Sequence, residues 1–273
     1  GVCGREWGEC MLKSKDLSFG EIRAKGAITL ADVMRLRRDT FADGIVSLEE
    51  ADALFALNDA CAIKDTAWSD FFVEALSDYL VHQAEPKGYV TAENASWLIA
   101  KISLDGKVDT MTELELLMSV LEKARWAPAS LSAFALDQVK RSVISGCGPV
   151  RSGKKLTAGV VDASDVDMIR RVLFSFGSHG GVAITRAEAE VLFDINDATD
   201  HSRNAPEWTE LFTKAIANCI MSASGYEVPS REEALRRERW LDQATEGVGG
   251  ILSRMASGGF RSMLDAYHDQ TPL

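Results

Sequence analysis

The chain has 273 residues, 46% hydrophobic and 26% charged, enough apolar material to fill one large core or two of ordinary size. Its 41 acidic residues outnumber 30 Lys and Arg for a formal charge of −11, which argues against nucleic acid, because affinity for a phosphate backbone depends on cations displacing condensed counterions. No run of about 18 apolar residues is present and Gly1 to Lys15 lacks the apolar centre of a signal peptide, so the expectation is a cytoplasmic chain with no membrane span.

In chain order, residues 1–27 read as an N-terminal extension, and a first helical module is predicted over 28–145. Near its start stand Asp32-Val33, Arg37-Arg38 and Phe41. A glycine turn at Gly44 follows, and Ser47 with Glu50 marks the next helix start as a capping box. Asn58-Asp59 closes that helix, with side chains of a kind that bond to the local backbone and stop a helix. Trp68, Phe71, Phe72, Ala75, Leu76, Tyr79 and Leu80 then recur at the spacing of one helix face and predict a core stripe. A second glycine turn at Gly106 leads to the box Thr110 with Glu113, and Leu114, Leu117, Met118 and Leu121 form another stripe, with Leu131, Phe134 and Val139 beginning a fourth.

The stretch 146–159 is rich in glycine and lysine and is predicted to link this module to a second one over 160–248, with a tail over 249–273. Gly148 and Gly153-Lys154 look like the start of a phosphate-binding loop, but Lys155 stands where a hydroxyl must reach magnesium and the segment before reads helical. In the second module Asp165-Val166 and Arg170-Arg171 answer Asp32-Val33 and Arg37-Arg38. Residues 188–198 answer 50–60 with seven of eleven positions identical, and Trp208 and Phe212 answer Trp68 and Phe72. Helix starts recur at Thr185 with Glu188 and at Ser230 with Glu233. Order and spacing point to a tandem duplication of one multi-helix, EF-hand-like unit in an all-α chain.

Catalytic motifs are not found. Four histidines lie far apart without acidic partners at helical spacing, and five cysteines form no CxxC pair, so Cys61 and Cys219 read as small core hydrophobes. The acidic turns carry the remaining chemistry. An EF-hand loop takes its oxygens from positions 1, 3, 5, 9 and 12 with glycine at 6. Placing Gly44 at position 6 gives Asp39, Phe41, Asp43, Ser47 and Glu50, a set short of one ligand at Phe41. The Gly106 loop gives Lys101, Ser103, Asp105, Asp109 and Thr112, with a cation where a carboxylate is required, and the Gly180 loop gives Ser175, Gly177, His179, Ala183 and Arg186. Glu50 and Glu113 are also the glutamates of capping boxes, so the same residues have a purely structural reading, in which Glu50 turns back onto its own helix.

The segments Asp43-Gly44-Ile45-Val46-Ser47-Leu48-Glu49-Glu50 and Asp105-Gly106-Lys107-Val108, continuing to Glu113, resemble the paired acidic turns of the TerB-like helical fold, associated with bacterial tellurite resistance and stress response. The chain also resembles a group of uncharacterised bacterial proteins sharing a doubled Leu-Phe-x-x-Asn-Asp-Ala element. The resemblance implies an acidic, cation-binding surface at Asp43, Glu49, Glu50, Asp105, Asp109 and Glu113, and a role in binding a partner. With Asp39 from the loop reading, the candidate metal ligands are Asp39, Asp43, Glu50, Asp105, Asp109 and Glu113. The second module departs from the pattern at His179 and Gly247. The expected function is a non-enzymatic binding or scaffold protein without a cofactor, acting on a protein partner or as a homo-oligomer, and the alternative is a calcium-type sensor built on 39–50.

Overall fold

A computed structural model describes residues 19–40, 44–103, 106–149, 157–175 and 183–224. The box at Ser230, the tail and the Gly247 position lie outside them, as does His179. The described residues are mostly helical: α1 (Leu30–Arg35), α2 (Leu48–Ala60), α3 (Thr66–Asp78), α4 (Ala92–Ile102), α5 (Met111–Lys123), α6 (Ala129–Ser145), α7 (Ala163–Leu173), α8 (Arg186–Thr199) and α9 (Pro206–Ala223). Single π-helical turns extend α1 over Leu36–Thr40 and α3 over Tyr79–Gln83. Residues 1–208 form one compact unit, and 209–273 form another, described over 209–224.

Helix starts follow the capping chemistry. Ser47, Thr110 and Thr185 each accept a bond from the backbone three residues on, while Glu50, Glu113 and Glu188 return a carboxylate to the cap. Two further boxes use aspartate in the third position, Thr29 with Asp32 and Asp162 with Asp165. The repeated Asp-Val pair therefore marks a helix start in both places, which a search for Glu or Gln alone overlooks.

Asp32 also receives Lys25 at 2.6 Å. Burial works against ionisation of its carboxyl, but the hydrogen bonds from Lys25 and Thr29 outweigh burial and hold it at about 2. Unfolding returns the group to its usual 3.8, so its stabilising share is present above that value and is lost as the pH falls towards about 2. Asp32→Asn should flatten the stability curve across this acid window, read from urea melts at stepped pH.

The core is centred on α3 and α5, which run parallel: Ser69 Oγ lies 2.9 Å from Thr112 Oγ1 at one end, and Lys123 Nζ donates to Ser77 Oγ at 2.7 Å at the other. The stripe Trp68, Phe71, Phe72, Ala75, Leu76 and Leu80 is buried as its spacing predicts, with Tyr79 half-buried. On α5 burial is wider than the predicted stripe, because Leu116, Ser119 and Val120 are buried beside Leu114, Leu117, Met118 and Leu121. A helix apolar on most sides belongs inside a bundle. Neighbours cover it accordingly: α3, α6 and α7 all pack on α5. Around α3, the ring of Phe55 on α2 meets Phe72 edge-on at 5.2 Å, Trp97 on α4 meets Phe55 at 5.6 Å, and Arg37 lies over Phe71 while pairing with Glu74 at 2.7 Å.

The segment after α6 turns at Gly146, in the left-handed region at φ +69°, where a Cβ would come within 2.9 Å of Ala158 Cβ. Gly159 N then donates to Val143 O at 2.8 Å, bringing the chain back onto α6, and α7 and α8 pack against that helix. Within the first unit, the helices on either side of 146–159 thus share one core.

Some short extended pairing went unpredicted. β1 (Ala27–Ile28) pairs in parallel with β2 (Ile63–Lys64), and Asp65 N donates to Ile28 O at 2.8 Å. Ala205 N donates to Val161 O at the same 2.8 Å. Ile28 and Val161 each precede an aspartate-type capping box, and Asp65 and Ala205 each stand three residues before a tryptophan whose amide bonds back to them.

Candidate functional site

The acidic turns are held from outside by glutamines. Gly44 and Gly106 take φ of +69° and +74°, which glycine adopts without a Cβ penalty. Gln83, at the end of the α3 extension, receives Val46 N on Oε1 and donates Nε2 to Gly44 O at 3.0 Å. Gln138, on α6, does the same for the second turn: Val108 N donates to Oε1 at 3.0 Å, and Nε2 donates to Gly106 O at 3.1 Å. Each amide satisfies one backbone donor and one acceptor, which no neighbouring strand supplies. Val46 and Val108 point inward and are buried, while Ile45 and Lys107 between clamp points are exposed. Gln138 is itself 3% exposed, so Gln138→Ala leaves the buried N–H of Val108 and the half-buried carbonyl of Gly106 unpaired and should cost about 1–3 kcal/mol in urea unfolding.

Two carboxylates of these turns, Glu50 and Glu113, are directed at the fold. Glu50 Oε2 accepts from Ser47 N at 2.8 Å, the cap that the sequence anticipates. Glu113 Oε2 accepts from Thr110 N at 3.2 Å, and its Oε1 accepts from Asn58 Nδ2 at 3.3 Å. Burial pushes the Glu113 carboxyl above its usual value, with Asp59 adding to the rise, against the opposing pull of Thr110 and Lys64. Asp109 and Glu49 are exposed. The side chain of Asp39, together with Asp43 and Asp105, lies outside the described residues. Among the described residues, no three His, Cys, Asp or Glu side chains come together as a ligand set.

Other loop positions are engaged locally. Lys101 pairs with Asp52 at 2.8 Å, Ser103 Oγ donates to Ile99 O at 2.6 Å, and Ser175 Oγ donates to Val172 O at 2.8 Å. Cys61 and Cys219 are buried, as small hydrophobes should be, and burial raises the Cys61 thiol above its usual value. His82 and His201 are exposed.

Asn58 does something the sequence does not reveal. Its Oδ1 accepts from Trp68 Nε1 at 3.1 Å while its Nδ2 reaches Glu113, so a residue expected to bond to the local backbone instead joins three helices. The indole N–H can only donate, which fixes which end of the amide faces it.

No family model matches the chain. No curated protein and no solved structure reaches significant similarity to it either.

Two surface features stand outside the turns. An open groove of about 490 Å³ is lined by Glu122, Asp167, Arg170, Arg171, Phe174 and Ser175. Its cations are matched: Arg171 pairs with Glu115 at 2.9 Å and Glu122 at 2.8 Å, and Arg170 with Asp167 at 3.2 Å. The second is a parallel bridge between Tyr89 and Trp126, fixed by Val90 N on Trp126 O at 2.9 Å and Arg125 N on Gly88 O at 2.8 Å. No described helix is long and apolar enough to cross a membrane.

Proposed function

We propose that this chain is a non-enzymatic binding or scaffold protein of the TerB-like kind, built from two diverged copies of a helical unit and acting in a stress-related setting through a protein partner. The observation that carries the reading is the double anchoring of the acidic turns: glutamine amides fix their backbones and the described glutamates cap their helices. A turn held in this way is a rigid surface element. It has fewer oxygens to turn towards an ion than a loop whose glutamate is uncommitted.

The duplication reading is supported by the recurrence of one local pattern, in which a residue preceding an aspartate-type capping box accepts a backbone bond from the residue three before a tryptophan. The glutamine clamps pair Gly44 with Gln83 and Gly106 with Gln138, and both belong to the first copy.

Calorimetric titration with calcium, backed by thermal shifts with zinc, manganese and magnesium, tests this function. A ligand that binds the native state alone raises its apparent stability. The expected result is no saturable heat and no rise in melting temperature. Micromolar calcium affinity abolished by Glu50→Gln would replace the scaffold reading with a calcium-type sensor using Asp39, Asp43 and Glu50.

A further inference from the structure

Tyr89 and Trp126 are 45% and 42% exposed, and the parallel bridge sets them side by side. Large aromatic groups held rigidly at a surface are the commonest anchors of protein contacts. Arg125 adjoins Trp126, and its side chain lies along Gly88: a Cβ on that glycine would come within 3.2 Å of Arg125 Cδ. Lys87 precedes Gly88, and Lys123 closes α5.

Charge complements the two rings here. On a chain of net −11, Arg35, Arg37, Lys101, Lys140 and Arg171 each sit on a carboxylate. Among the described residues Lys87 and Arg125 have no such partner, and Lys123 bonds a serine hydroxyl. Arg23, Lys64, Lys107 and Arg203 also lack a carboxylate partner among the described residues, but at this place two such cations adjoin exposed aromatic side chains. Glu85 is the one acidic residue over 85–89 and 123–127. The patch is therefore locally basic, apolar at its centre and fixed in its backbone.

We propose that Tyr89 and Trp126, with Lys87 and Arg125 beside them, form a docking site for an acidic segment of a partner protein. Apolar contact on the two rings supplies the anchor, and the cations select acidic residues around it. A long phosphate backbone fits poorly, because the remainder of the acidic surface repels it. The inference rests on the binding-protein reading, which the cation titration tests independently.

The probe is a fluorescein-labelled peptide of alternating glutamate and leucine, titrated with the full chain and followed by anisotropy. A lysine and leucine peptide and a DNA duplex serve as comparisons. Saturable binding of the acidic peptide is expected. Trp126→Ala should weaken it roughly thirtyfold. Lys87→Glu combined with Arg125→Glu should weaken it roughly tenfold at low salt, and by less as salt rises. All three positions are exposed, so each variant should melt like the parent. Should Trp126→Ala fail to fold, Tyr89→Ala and the charge reversal carry the test. No binding, binding unchanged in the variants, or preference for the lysine peptide or DNA would overturn the proposal.

Discussion

Trp68→Ala should destabilise the protein by about 3–5 kcal/mol, measured as a shift in urea midpoint without change of slope. The indole is 1% exposed, and its ring lies 5.9 Å from that of Phe71 and 5.7 Å from that of Phe72. Removing it opens a cavity between α3 and its neighbours and also withdraws the N–H that Asn58 receives. Trp68→Phe refills most of the volume and should recover the larger part of the loss, leaving the cost of the missing hydrogen bond.

Asn58→Leu should cost about 2–4 kcal/mol although the substitution adds apolar surface to a buried site, because each buried polar group left without a partner costs about 1–3 kcal/mol. The residue is 4% exposed and serves Trp68 Nε1 on one side and Glu113 Oε1 on the other. A double-mutant cycle combining Asn58→Ala with Glu113→Ala should return a coupling of about 1 kcal/mol. Strict additivity in that cycle would show that the amide does not bridge the two helices energetically.

What the chain reveals in advance is what neighbours in sequence decide. Ser47 and Glu50, or Thr110 and Glu113, are three residues apart and form their caps whatever lies beyond, so helix starts were legible. The Trp68 stripe was legible for the same reason, since helical spacing alone places it on one face. Gln83 and Gln138 were not, because each lies 30 or more residues from the turn it clamps and an amide carries no signature of its distant partners. The same separation concealed the pairing of Ile28 with Asp65 and of Val161 with Ala205. At Glu50 one spacing encodes two outcomes, since a glutamate at the third helical position serves equally as a cap or as the last ligand of a loop, and Glu50, like Glu113, is seen as a cap. Asn58 shows the opposite failure, where a side chain well suited to local backbone bonds is drawn away by a buried indole and a carboxylate.

The chain of bonds from Trp68 through Asn58 and Glu113 to Thr110 has members on α2, α3 and at the start of α5. Loosening the last turn of α2 would strand the indole of α3 and the carboxylate of α5 together, so the usual cheap fraying of helix ends is denied to this corner. These three ends are therefore expected to open together. In hydrogen exchange, the amides of Cys61 and Glu113, at nominal helix termini, will share the slow rate of the core helices.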